Sequence, residues 1–113
     1  MHELSIALSI VDIAEKEVAK IKGESVSDIE LEIGKLAGIE KEALEFAWPE
    51  AIKNSVLSEA NRVIRWVEAE AICNECQKTY PINDLYDICP HCGSYFKGIN
   101  KGKELKIKSL TIC

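Results

Sequence analysis

Two short motifs hold the residues of this chain whose types and spacing could do chemistry. Cys73-Asn-Glu-Cys76 and Cys89-Pro-His-Cys92 are Cys-x-x-Cys pairs with twelve residues between them. Cysteines three apart can bend around one metal ion as a knuckle. Two facing knuckles complete a tetrahedron of thiolates about 2.3 Å from a zinc ion. Pro90 fixes a backbone angle in the second turn, and Gly93 accepts the positive φ that tight turns often need. Gln77 stands where a glycine would serve the first knuckle more easily. Four thiolates leave zinc no open position, so this site is expected to be structural and not catalytic. The competing reading is a pair of free or redox-active dithiols. It is disfavoured because neither motif opens a helix after a strand.

The chain opens Met1-His2-Glu3. The amine of Met1, the backbone nitrogen of residue 2 and the imidazole of His2 can close two adjacent chelate rings on one ion. Three nitrogen donors in a plane suit Ni(II) or Cu(II). The fourth position stays free for the backbone nitrogen of Glu3, for another side chain, or for a receiving partner, and an incomplete site suits a protein that must release its metal. The bulk of His2 favours retention of the initiator methionine, whose amine the chelate requires. The plainer alternative is a surface histidine at a mobile terminus. Two features weigh against it: a helix begins at once, and a separate metal module lies on the same chain.

These residues need elements to position them. Leu4, Leu8, Val11, Ala14, Val18 and Ile21 recur at helical spacing, and Ile6, Ile10 and Ile13 widen the stripe, so residues 3–22 read as a well-buried helix stopped at Gly23. Ile29, Leu31 and Ile33 alternate with Glu30 and Glu32, which makes 28–34 a strand with one acidic, solvated face. A second helix is expected over 40–54, with Ile39, Ala43, Leu44, Ala47 and Ile52 facing inward. Pro49 lies inside it and is expected to kink or split it. Residues 62–72 and 103–112 read as strands. Segment 73–100 has few aliphatics and cannot build much core alone, so a metal would substitute for one. The fold class is α+β, a small sheet packed with two helices plus a zinc-ribbon-like module.

The bulk composition excludes several functions. With 47% hydrophobic and 29% charged residues, the 113-residue chain reads as one folded body and not as a disordered one. No apolar run reaches the roughly 20 residues of a membrane span. Charges at Glu3, Asp12 and Glu15 break up the N-terminal apolar positions, so a signal peptide is not expected and the protein is expected to be cytoplasmic. Residues 1–72 carry 15 acidic and 8 basic side chains, and residues 73–113 carry 4 and 6. That balance lacks the basic face of a nucleic-acid binder. Five cysteines without a secretory signal point to metal binding before disulfides. No nucleophile–base pair and no Gly-rich phosphate loop is present, so the chain is not expected to be an enzyme.

Several segments together resemble the nickel metallochaperones of hydrogenase maturation, the HypA/HybF type. They are Met1-His2-Glu3-Leu4-Ser5-Ile6-Ala7, the stretch Leu31 to Ile39, Leu44-Glu45-Phe46-Ala47, Ala69-Glu70-Ala71-Ile72 running into the cysteine pairs, and Gly102 to Ser109. The resemblance implies nickel bound through Met1, His2 and Glu3, with the Glu3 carboxylate placed behind the ligands, and structural zinc on Cys73, Cys76, Cys89 and Cys92. It implies a nickel-binding α/β domain over 1–72, whose sheet the strand 103–112 can rejoin, and a zinc-binding domain over 73–102. The implied partners are a hydrogenase-maturation GTPase and the large subunit of nickel–iron hydrogenase, with urease a further client and pairing with a second copy open. The rival function is a zinc-ribbon interaction module in transcription or translation. Tyr80, Tyr86, Tyr95 and Phe96 fit that rival, but its basic face is missing. Pro49, Arg62 and Gln77 depart from the family's pattern. His91 reads as an exposed knuckle residue, Cys113 as a free thiol, and Trp48 and Trp66 as packing residues.

Overall fold

The structure, a computed structural model, describes residues 2–113. The chain divides into two compact units, one of residues 1–31, 39–65 and 106–113 and one of residues 32–38 and 66–105. Its elements in order are α1 (Glu3–Lys20), β1 (Val26–Gly34), α2 (Lys41–Ile52), β2 (Asn61–Val67), β3 (Glu70–Cys73), β4 (Thr79–Pro81), β5 (Lys97–Lys101) and β6 (Leu105–Ile112). Two helices and two small sheets make the fold α+β, as the sequence leads one to expect.

The first unit is built on the sheet β2-β1-β6, with β1 in the centre. Ile29 and Leu31 of β1 are fully buried, and Glu30 between them is not, so the alternation does what its period requires. Helix α1 buries Ala7, Ile10, Ala14 and Val18. This is a correction to the expected stripe, because Leu4 is 46% and Leu8 49% exposed. Apolar residues cover more than half of this helix's circumference, and spacing alone does not choose which part meets the core. The helix ends at Lys20, and Lys22 in the turn beyond it takes a left-handed φ of 56°. The amides of Lys22 and Gly23 then bond back to the carbonyls of Ala19 and Val18.

Helix α2 runs through Pro49 unbroken and ends three residues later. Leu44, Trp48 and Ala51 are buried on both sides of the proline. Burying large apolar side chains contributes about 1.5–3 kcal/mol each, which offsets the roughly 3 kcal/mol a proline costs inside a helix. Arg62 on β2 lies 5.1 Å from the centre of the Trp48 ring and pairs with Glu45 of α2. Its stem and guanidinium thus cover the tryptophan, a role open to arginine where an apolar residue would otherwise stand.

The second unit is built on the sheet β4-β3-β5, antiparallel on both sides of β3. The expected single strand over 62–72 is two strands, β2 and β3, in different sheets. The core of this unit is Ala69, Ala71, Cys73, Tyr80, Ile82 and Cys89, with Leu36 and Ile99 against it. The end of β1 and the turn after β5 meet here backbone to backbone: a Cβ on Gly34 would lie 2.1 Å from Gly102, and one on Gly102 would lie 2.4 Å from the Ala69 Cα. Glycine is required at both positions. The contact is sealed by the Leu36 amide on the Gly102 carbonyl at 2.7 Å.

Candidate metal centre

The second unit brings the two Cys-x-x-Cys pairs together. β3 ends at Cys73, and the turn after it carries Cys76. Residues 89–93 form the opposing turn. The two knuckles repeat one backbone pattern. The Gln77 amide bonds the Cys73 carbonyl at 3.0 Å, and the Gly93 amide bonds the Cys89 carbonyl at 2.8 Å. Amides also point at sulfur, from Cys76 to Cys73 Sγ at 3.5 Å and from His91 to Cys89 Sγ at 3.4 Å. The fifth residue of each knuckle has positive φ, 67° at Gln77 and 76° at Gly93.

All four sulfurs lie within 4.8 Å of one another. Cys73 and Cys92 Sγ are 3.5 Å apart, and Cys76 and Cys89 Sγ are 3.7 Å apart. A tetrahedron with metal–sulfur bonds of about 2.3 Å has edges of about 3.8 Å. A disulfide needs about 2.05 Å. The spacing is therefore that of thiolates around one zinc ion, and all four cysteines are free of disulfides.

The electrostatics agree. The Cys76 amide at its sulfur draws the Cys73 thiol down to about 7. Burial opposes ionisation of Cys89, but the amides of Cys92 and His91 carry it below the ordinary thiol range. The Lys78 amide favours a Cys76 thiolate, yet burial and the sulfurs of Cys89 and Cys73 push that thiol up. In the same way the Ser94 amide favours a Cys92 thiolate, and the neighbouring Cys73 sulfur with burial pushes Cys92 up to about 12. Four thiolates so close cannot all ionise on their own, and a divalent cation at their centre removes the conflict.

Cys73 and Cys89 are buried, while Cys92 and the neighbouring His91 are exposed. The hydroxyl of Tyr80 is buried in this unit with no hydrogen-bond partner among the described residues. Desolvation first, and then the nearby sulfurs, raise its pKa. Its burial removes Tyr80 from the aromatics that the interaction-ribbon reading would need on the surface.

Gln77 carries a conformation that suits glycine. A left-handed conformation costs a non-glycine residue about 1–2 kcal/mol. Its side chain makes only a 3.4 Å contact to the Asn74 carbonyl in return. Gln77→Gly is expected to stabilise the zinc-loaded protein by about 0.5–1 kcal/mol after the added freedom of the unfolded chain is counted. That is an upward shift of a few degrees in thermal unfolding. An unchanged or lower midpoint would show that the first knuckle does not hold this backbone when loaded.

The N-terminal motif belongs to the first unit. Met1 lies outside the described residues. His2 is exposed and is the N-cap of α1, with its carbonyl accepting the Ile6 amide at 2.9 Å. The helix therefore tethers the backbone of His2 and leaves its imidazole in solvent. Glu3 is different, being only 4% exposed. Its Oε2 accepts the backbone amide of Glu40 at 3.1 Å. Helix α2 has no side-chain cap of its own, so Glu3 supplies a carboxylate where the helix dipole favours one. That contact joins the starts of α1 and α2. Cys113 is exposed, and its backbone bonds Ser25 and Glu24.

A small α+β protein with a four-cysteine zinc centre and a helix-tethered histidine at residue 2 belongs to the class of metal-handling accessory proteins. Comparison with known proteins makes this specific. The chain matches, over residues 1–112, the family described as hydrogenase/urease nickel incorporation, metallochaperone, hypA, and it belongs to that family. It is 47% identical over 112 residues to a hydrogenase maturation factor HypA of Parabacteroides distasonis, covering 99% of this chain and 97% of that one. It is 38% identical to the HypA of Prosthecochloris aestuarii, covering 99% of each chain. Its fold is similar to the solution structure of the Ni metallochaperone HypA from Helicobacter pylori, with a TM-score of 0.72 at 24% identity over 99% of this chain and 97% of that one. Among the described residues no helix is long and apolar enough to cross a membrane.

Proposed function

We propose that this protein binds Ni(II) at its N-terminus and delivers it for maturation of nickel–iron hydrogenase, with urease as a further client. Nickel is the cargo. The Met1 amine, the His2 backbone nitrogen and the His2 imidazole are its ligands, and the fourth position is left for the site that receives it. Glu3 acts behind the ligands by fixing the start of α1. Cys73, Cys76, Cys89 and Cys92 hold a resident zinc that replaces a hydrophobic core in the second unit. The exposed imidazole of His2 at the N-cap of α1, in a chain matching the family over 1–112, is the observation that carries this reading.

The chain handles metal without catalysing a reaction. Its partners are the maturation GTPase and the hydrogenase large subunit in the cytoplasm, and nucleotide hydrolysis belongs to the GTPase. A transcription or translation ribbon is not favoured, since the family match covers both units and no basic face is present. Nickel titration of untagged, zinc-loaded protein tests the reading. Saturation near one nickel per chain with a planar-type d–d spectrum is expected. No saturable nickel site, with zinc still in place, would sink it.

A further inference from the structure

Phe46 is 89% exposed in the middle of α2. It lies about 200° around the helix from buried Leu44, so no part of the core reaches it. The neighbouring helix adds two more exposed apolar side chains, Leu4 and Leu8, one turn apart. Their flank of α1 is turned to α2. Glu3, next to Leu4, accepts the amide of Glu40 just before α2, and Glu15, on the same stripe as Leu4 and Leu8, accepts the amide of Val56 just beyond it at 2.9 Å. The two helices therefore run side by side in the same direction. Leu4 and Leu8 on α1 and Phe46 on α2 are left uncovered.

Charge says what kind of partner this face takes. Helices α1 and α2 together hold seven acidic and three basic residues, net −4. Glu42 and Glu50 lie one turn on either side of Phe46; Lys53 pairs with Glu50 and Arg62 with Glu45, and with these two cations counted the face is net −2. A second copy of the chain would bring the same negative field against itself, and anionic lipid or nucleic acid would be repelled as well. An exposed aromatic beside the Glu42 carboxylate, on a face of net negative charge, fits a protein pocket that is apolar at its centre and carries Lys or Arg at its rim. Leu4 is two residues from His2, so a protein seated here stands beside the metal end.

We propose that the exposed face of α1 and α2, with Phe46 as its anchor, is the docking surface for the protein that receives the nickel, and that this protein offers a basic-rimmed apolar pocket. The proposal rests on the delivery reading above. The probes are the purified maturation GTPase and the hydrogenase large subunit, each titrated by calorimetry into untagged, zinc-loaded protein.

Phe46→Ala is expected to weaken the complex with at least one of them about 30-fold or more, the loss typical of an interface hot spot. Nickel stoichiometry and thermal midpoint are expected to stay those of the parent. Glu42→Lys is expected to weaken the same complex at low salt and to flatten its salt dependence. Tyr86→Ala, 83% exposed in the second unit, is the control and is expected to change nothing.

Unchanged affinity in Phe46→Ala, or in Leu8→Gln should the first variant not fold, would overturn the docking surface and leave delivery standing. So would loss of a self-association instead of the partner complex, or no complex with either probe. A parent that binds its partner through Phe46 yet takes up no nickel would overturn the delivery reading and leave the docking surface standing.

Discussion

His2→Ala is expected to abolish specific nickel binding and leave zinc content, helix content and thermal midpoint unchanged. The imidazole closes the second of two fused chelate rings, so its loss removes a ligand and a ring together. Removing only the hydrogen-bond partner of a metal ligand costs about 10- to 100-fold in affinity. Losing the ligand itself is expected to exceed about 100-fold. The fold is indifferent to the change because the His2 side chain is exposed and caps nothing, and only its carbonyl serves α1. Nickel displaces protons from nitrogen donors, so affinity in the parent rises with pH, and this rise should vanish in the variant. An uncleaved N-terminal tag is expected to do the same harm by consuming the amine. Calorimetry on parent, variant and tagged protein decides the matter. A variant that binds like the parent would place the nickel site elsewhere, and undiminished binding by the tagged protein would remove the Met1 amine from the ligand set.

The second large effect is expected from Cys73→Ser. Structural zinc in small modules is worth roughly 10–16 kcal/mol of apparent binding free energy, more than a module of this size gains from its own core. Cys73 is 0% exposed and closes β3, so its sulfur is at once a ligand and part of the packing. The serine variant is expected to hold less than about a tenth of the parent's zinc. Residues 66–105 should exchange their amide hydrogens rapidly while α1 and α2 stay protected. Chelation of zinc from the parent should reproduce this pattern. A fully ordered, zinc-loaded Cys73→Ser protein would refute the ligand assignment.

Much of this was legible in the sequence, and the failures have physical causes. The two knuckles were readable because metal ligation fixes residue type and spacing together. The structure sets those four sulfurs at tetrahedral distances and gives Gly93 the positive φ that its residue type allows. The expected inward face of α1 shares Ala14 and Val18 with the buried one and is offset from it by about an eighth of a turn. Ile6, Ile10 and Ile13 make several stripes equally apolar, and only the sheet beneath selects Ala7 and Ile10. The break between β2 and β3 falls at Glu68 and Ala69, where no glycine or proline marks it. Strands β4 and β5 are only 3 and 5 residues long and mostly polar, too short to show a period. The contact of Glu3 with the start of α2 joins residues 37 positions apart, and no local pattern announces it. Phe46 is absent from the residues expected to face inward on α2, and at 89% exposed it does lie outside the core.

The path of the chain between its two units has a consequence for how the protein comes to be. The segment 66–105 is nearly a whole unit in one continuous stretch, whereas the first unit is completed only when 106–113 adds β6 beside β1. During synthesis the four cysteines leave the ribosome before β6 does. The local turns of the knuckles close quickly, and the pairing of β1 with β6 spans most of the chain and is slow. Zinc can thus be captured while the sheet that carries the N-terminal helix still lacks an edge. The second unit can then be complete while the first still awaits its last strand.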